Sequence, residues 1–153
     1  MLELLDIVGE EMRSPASDAV HAIAAAARDR HPGTLAVLFY GSCLRSGSDE
    51  GGLVDLYLLV KSYRQAHRNP LSALGNRLLP PNVYYIETAF EGRTVRAKYA
   101  VVTLSALETL VTARTFHPYF WARFAQPTGL LWSDGEQTTG RVNKLLARAV
   151  NTL

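Results

Sequence analysis

Leu35–Val60 reads LAVLFYGSCLRSGSDEGGLVDLYLLV, two apolar runs around a polar loop. The first run closes on Tyr40-Gly41-Ser42, and the second contains one acid, Asp55. Leu35 to Tyr40 predicts a short strand ended by Gly41. Leu53 to Val60, apolar apart from Asp55, predicts a strand buried on both faces. A lone carboxylate in such a strand is costly unless a cation meets it. An arginine such as Arg45 or Arg96 would serve, and so would a metal ion carrying phosphate.

Outward from this pair, Ser17 to Arg30 predicts an alanine-rich helix capped by Ser14 or Ser17 and stopped at His31-Pro32-Gly33. Ser62 to Leu79 is polar at first and helical in its second half, ending at Pro80-Pro81. Val83 to Phe90 and Thr94 to Val102 predict a hairpin joined by Glu91-Gly92-Arg93. Thr103 or Ser105 caps a helix to about Thr115, Phe116 to Ala125 forms another, and Ser133 to Leu153 closes the chain with a helix. That order predicts one α/β (α+β) domain over residues 1–153, a mixed sheet flanked by helices.

Composition sets the outer limits. The chain has 153 residues, 48% hydrophobic and 20% charged, the balance of a globular domain. A formal charge of +2 does not nominate nucleic acid as a partner. Cys43 is the one cysteine, which excludes a disulfide framework and a cysteine metal cluster. No apolar run reaches the roughly 18 to 20 residues that span a bilayer, and the acidic N-terminus lacks the basic start of a secretion signal. A cytoplasmic protein is expected.

The chemistry that asks for this pattern is nucleotidyl transfer. Glycine lets the backbone approach a triphosphate. Ser42 and the N–H groups after it can hold phosphate oxygens. A carboxylate on the adjacent strand binds Mg²⁺, which offsets the charge that builds up as pyrophosphate leaves. The stretch resembles the polymerase-β-type nucleotidyltransferase superfamily, whose strand–Gly-Ser–loop–acidic strand it shares. It departs at Tyr57, where that superfamily carries a second carboxylate. Asp49, Glu50 and Glu87 are candidates to replace it.

Further residues narrow the resemblance. Tyr40-Gly41-Ser42, Asp55, Val83-Tyr84-Tyr85, Lys98-Tyr99 and Arg123 ahead of Pro127 are similar, in the same order, to the mitochondrial translocator-maintenance family of peripheral CDP-diacylglycerol synthases. The likeness covers residues 35–132. It implies a polymerase-β-type fold and transfer of CMP from CTP to phosphatidate at a membrane surface, with Mg²⁺. It implies Asp55 as the catalytic carboxylate that holds the metal, Lys98 as a catalytic phosphate contact, and Tyr40, Gly41, Ser42, Tyr84, Tyr85 and Arg123 as substrate-binding residues. A peripheral position on the inner membrane face follows from the same resemblance. The family continues into a further helical domain, absent or truncated in a chain that ends at Leu153.

Two other readings stay open on the residues themselves. One is a small nucleotidyltransferase with another acceptor. The other is a nucleotide-binding module without turnover, which the missing second acid favours. The last helix places Arg141, Lys144 and Arg148 beside an apolar face fit for an anionic membrane, for its own domain or for a second copy in a homo-oligomer.

Overall fold

A computed structural model describes residues 2–41, 43–44, 52–78, 82–111 and 119–152; of residues 76, 77, 119–121 and 152 it describes the backbone. The two central apolar runs form β1 (Thr34–Tyr40) and β2 (Val54–Val60), buried along nearly their whole length. They pair antiparallel, with Tyr40 opposite Asp55. β3 (Asn82–Phe90) and β4 (Arg93–Thr103) form the expected hairpin, with Phe90 opposite Arg93. Its turn is two residues, Glu91 and Gly92, both at positive φ, which matches the right-handed strand twist. Arg93 begins β4 instead of belonging to the turn.

β4 runs parallel to β2, Asp55 opposite Lys98, and β5 (Gly129–Ser133) pairs antiparallel with the other side of β1. The result is a five-stranded mixed sheet in the order β3-β4-β2-β1-β5. β5 has no counterpart in the sequence reading. It is five residues long and only half-buried, so GLLWS carries little alternation to betray it.

Helices cover both faces, so the fold is α+β. α1 (Leu2–Met12), α5 (Leu104–Leu110), α6 (Tyr119–Phe124) and α7 (Glu136–Thr152) cover one face. Ala36, Leu38, Tyr40, Tyr57, Leu59, Ala100 and Val102 lie beneath them. α2 (Asp18–Asp29) covers the other, over Val37, Phe39, Leu56, Leu58, Val60 and Val101. Alternation along β1 and β2 thus feeds two cores, and each fully buried Leu contributes roughly 1.5–3 kcal/mol. α7 packs its apolar residues Val142, Leu145, Leu146 and Ala149 into the first core.

α3 (Tyr63–Ala66) and α4 (Pro70–Leu78) link β2 to β3. Side-chain caps fix the helix starts: Ser17 accepts from the Val20 N–H at 3.2 Å, and Thr103 from the Ala106 N–H at 3.1 Å. Cys43 is buried, and its thiol donates to the Leu53 carbonyl at 3.5 Å, tying the two ends of the β1–β2 connection. Among the described residues, no helix is long and apolar enough to cross a membrane.

Under α2 lies a buried polar cluster. His31 Nδ1 is 2.9 Å from the Ala66 carbonyl oxygen, which can only accept, so Nδ1 carries the proton. In the neutral ring Nε2 therefore accepts from the Tyr99 hydroxyl at 2.9 Å. Burial pushes the His31 pKa below its ordinary value, against the raising effect of the Ala66 hydrogen bond; His67 and Arg30 lower it further. The folded protein then takes up this proton less readily than the unfolded chain. Stability is complete above the unfolded pKa, about 6.5, and falls as pH drops below it toward the folded value. Denaturant midpoints are expected to decline from pH 7 to pH 5, and His31→Gln is expected to flatten that decline.

Candidate active site

The first core ends, on one side, at the start of β2. Asp55 and Tyr57 point to the same face, one pleat repeat apart. Tyr57 is inside the helical layer, 1% exposed. Its ring lies 5.1 Å from that of Tyr40 and 4.9 Å from that of Phe124. The position where a second carboxylate would stand is a packed aromatic site. Asp55 lies just past the edge of that packing, its side chain 19% exposed.

Gly41 makes room for the carboxylate. Its φ is +87°, a left-handed conformation that L side chains rarely adopt, and an added Cβ would stand 2.5 Å from Asp55 Oδ2. Backbone conformation and contact both require glycine here. The other carboxylate oxygen, Oδ1, faces Lys98 Nζ at 3.4 Å. That ion pair is long, and the lysine is 50% exposed, so Lys98 can turn to a ligand at small cost. The parallel register places Lys98 beside the acid, a direction that strand alternation alone left open.

A second cation sits on the strand partner of Asp55. The Arg123 guanidinium sits 4.6 Å over the Tyr40 ring, and Tyr40 is opposite Asp55 in the strand register. Tyr85 faces Lys98 across β3 and β4, so Asp55, Lys98 and Tyr85 form a row across three strands on one face. The exposed Tyr85 hydroxyl donates to Glu87 at 2.7 Å. That hydrogen bond is the main cause of a raised Tyr85 pKa.

The fold thus brings together Tyr40, Gly41, Asp55, Lys98, Tyr85 and Arg123. It does not add Tyr84 to them. Alternation turns Tyr84 to the opposite face, where its ring stacks on Tyr99 at 5.4 Å and its hydroxyl lies 3.3 Å from His67 Nδ1. Ser42, Arg45, Asp49 and Glu50 lie outside the described residues. Arg96 stands opposite Glu87 in the β3–β4 register, and its charge acts to lower the Tyr85 pKa against the raising effect of Glu87. The signal for it was present in the Arg96-x-Lys98 spacing, which puts both cations on one side of β4.

Among the described residues, no three His, Cys, Asp or Glu side chains gather into a metal cage. One carboxylate is nonetheless compatible with Mg²⁺, which keeps several waters and takes its other ligands from substrate phosphates. The donor set fits an ion that arrives with a nucleotide. No protein-family model matches the chain, and no curated protein matches it significantly.

Two substitutions probe this geometry. Gly41→Ala is expected to destabilise the fold by about 1–2 kcal/mol through left-handed strain, read as a lowered denaturant midpoint. Tyr57→Asp would recreate the superfamily's acid pair in sequence. It is expected to cost more than about 3 kcal/mol, because an unpaired carboxylate would replace a ring in the core, and circular dichroism should show loss of the folded state.

Proposed function

We propose that the Asp55 face is the active site of a nucleotidyltransferase that transfers CMP from CTP to phosphatidate, giving CDP-diacylglycerol and pyrophosphate. The observation that carries the reading is the close approach of Gly41 to Asp55, with Lys98 and Arg123 at the rim. A side-chain-free turn beside a half-buried carboxylate and two cations suits a triphosphate and its counter-ion. Choice of cytidine and of phosphatidate rests on the sequence resemblance, as do the polymerase-β-type fold and the peripheral location at a membrane surface.

Chemically, a phosphate oxygen of the acceptor attacks the α-phosphorus in line, and the bond from that phosphorus to the bridging oxygen of the β-phosphate breaks. Bound Mg²⁺, held by Asp55 and phosphate oxygens, would neutralise charge on the triphosphate. Lys98 exchanges its long contact with Asp55 for a phosphate oxygen and offsets the charge that builds up in the transition state. Arg123, held by the Tyr40 face, supplies a second and more rigid positive charge. Gly41 keeps the turn open to the triphosphate. The acceptor is already an anion and needs no general base, which suits a site whose neighbouring position is Tyr57.

The packing of Tyr57 also favours a second reading, a module that binds nucleotide without turnover. Labelled CTP incubated with phosphatidate vesicles and Mg²⁺ separates the two. Labelled lipid should form, cease on chelation of Mg²⁺, fall at least 100-fold in Asp55→Asn and fall about 100-fold in Lys98→Ala. Calorimetric binding of CTP that ignores both Mg²⁺ and Asp55→Asn, with no labelled lipid, would establish the second reading instead.

A further inference from the structure

β2 and β4 are the parallel neighbours in the sheet, and the chain leaves their carboxyl ends in opposite directions. From β2 it enters α3, whose Tyr63 and Ala66 pack on the α2 side. From β4 it enters α5, whose Leu104 and Leu107 pack on the other. Divergence of this kind opens a crevice between adjacent parallel strands, the place where open α/β sheets bind ligands. A cavity of about 550 Å³ occupies it, a size suited to a small organic molecule. It is remote from the candidate active site: Asp55 and Val60 are separated by five strand residues, roughly 17 Å.

The lining defines the ligand. Tyr63 closes the floor, its hydroxyl accepting from the Thr103 N–H at 3.2 Å. Ser62 and Thr103 also line it, but both hydroxyls accept capping hydrogen bonds from Gln65 and Ala106. Lys61 and Arg64 are exposed at the cavity, and neither is in an ion pair among the described residues. Pro70, Ala73 and Leu74 of α4 line it as well. Leu74 belongs to a stripe on α4 with Leu71 and Leu78, and the three are 53%, 76% and 67% exposed. The β2–α3 segment thus brings cations to the cavity, and α4 brings apolar side chains that continue along its exposed leucines.

We propose that this cavity binds a single-chain anionic amphiphile. The head lies between Lys61 and Arg64, and the chain runs along Pro70, Ala73 and Leu74 onto the α4 leucines. Neither part suffices alone. An exposed cation pair holds a bare anion weakly in water, and an uncharged chain leaves both cations without a partner. The inference rests on the sheet topology and not on the reading of the Asp55 site.

Calorimetry on the full chain tests it, with 1-oleoyl lysophosphatidate and oleate below their micelle concentrations, against sn-glycerol 3-phosphate and monoolein. At least one anionic amphiphile should bind ten-fold or more tightly than both controls. Lysophosphatidate alone would specify a phosphate head, and both would specify any anionic head. The double variant Lys61→Ala/Arg64→Ala should weaken binding ten-fold or more. Ala73→Trp, which fills the cavity, should abolish it, with unchanged melting temperature confirming the fold in each case. Asp55→Asn should bind as the parent does. Equal binding of the controls, survival of binding in both cavity variants, or its loss in Asp55→Asn would overturn the proposal.

Discussion

The antiparallel pairing of β1 with β2 sets Tyr40 across from Asp55 and folds Gly41 back against the carboxylate. The register of these two strands decides which side chains enter which core, because a slip of one residue exchanges the faces. In the observed register every β2 side chain after Asp55 is buried, and Asp55 alone emerges at the margin of the helical layer. A half-buried acid is tolerated there because its neighbour has no side chain and the parallel strand presents a lysine. The apolar strands create the constraint, and the polar residues sit where those strands run out of cover.

This arrangement also accounts for an aromatic residue two positions after Asp55. The sequence presents Tyr57 simply as a residue of the wrong type. In the fold its ring lies between those of Tyr40, tilted, and Phe124, edge-on, and the Arg123 guanidinium rests on the Tyr40 ring. The same aromatic cluster also carries the guanidinium, on the Tyr40 ring. Position 57 therefore supports the site through packing, and an ion there would have to displace a core residue.

Much of the fold was legible where a residue pattern had one local meaning. The apolar runs gave β1 and β2, alternation with a turn gave the β3–β4 hairpin, and alanine with a serine cap gave α2. Legibility failed where partners were distant. β5 is a strand because β1 has a free edge, and α1 is a helix because α7 and β5 offer it a groove; LELLDIVGEEM was read only for its charge. In the site, Asp55, Gly41 and Lys98 stood out as residue types, but the place of Lys98 beside Asp55 depends on the β2–β4 register. Alternation requires Tyr84 and Tyr85 to face opposite sides, but which of the two joins the Asp55 face depends on the β3–β4 register. The crevice at the far end of the sheet was invisible in sequence, since it arises from the directions of two chain exits.

The thiol of Cys43 has a practical consequence. It is the chain's one cysteine, it is buried, and its hydrogen bond to Leu53 joins the start of the β1–β2 connection to its end. A thiol-reactive reagent can reach it only when that junction parts. The rate of its modification, measured against a free thiol, therefore clocks how often the Cys43–Leu53 contact opens, without any label being engineered into the chain.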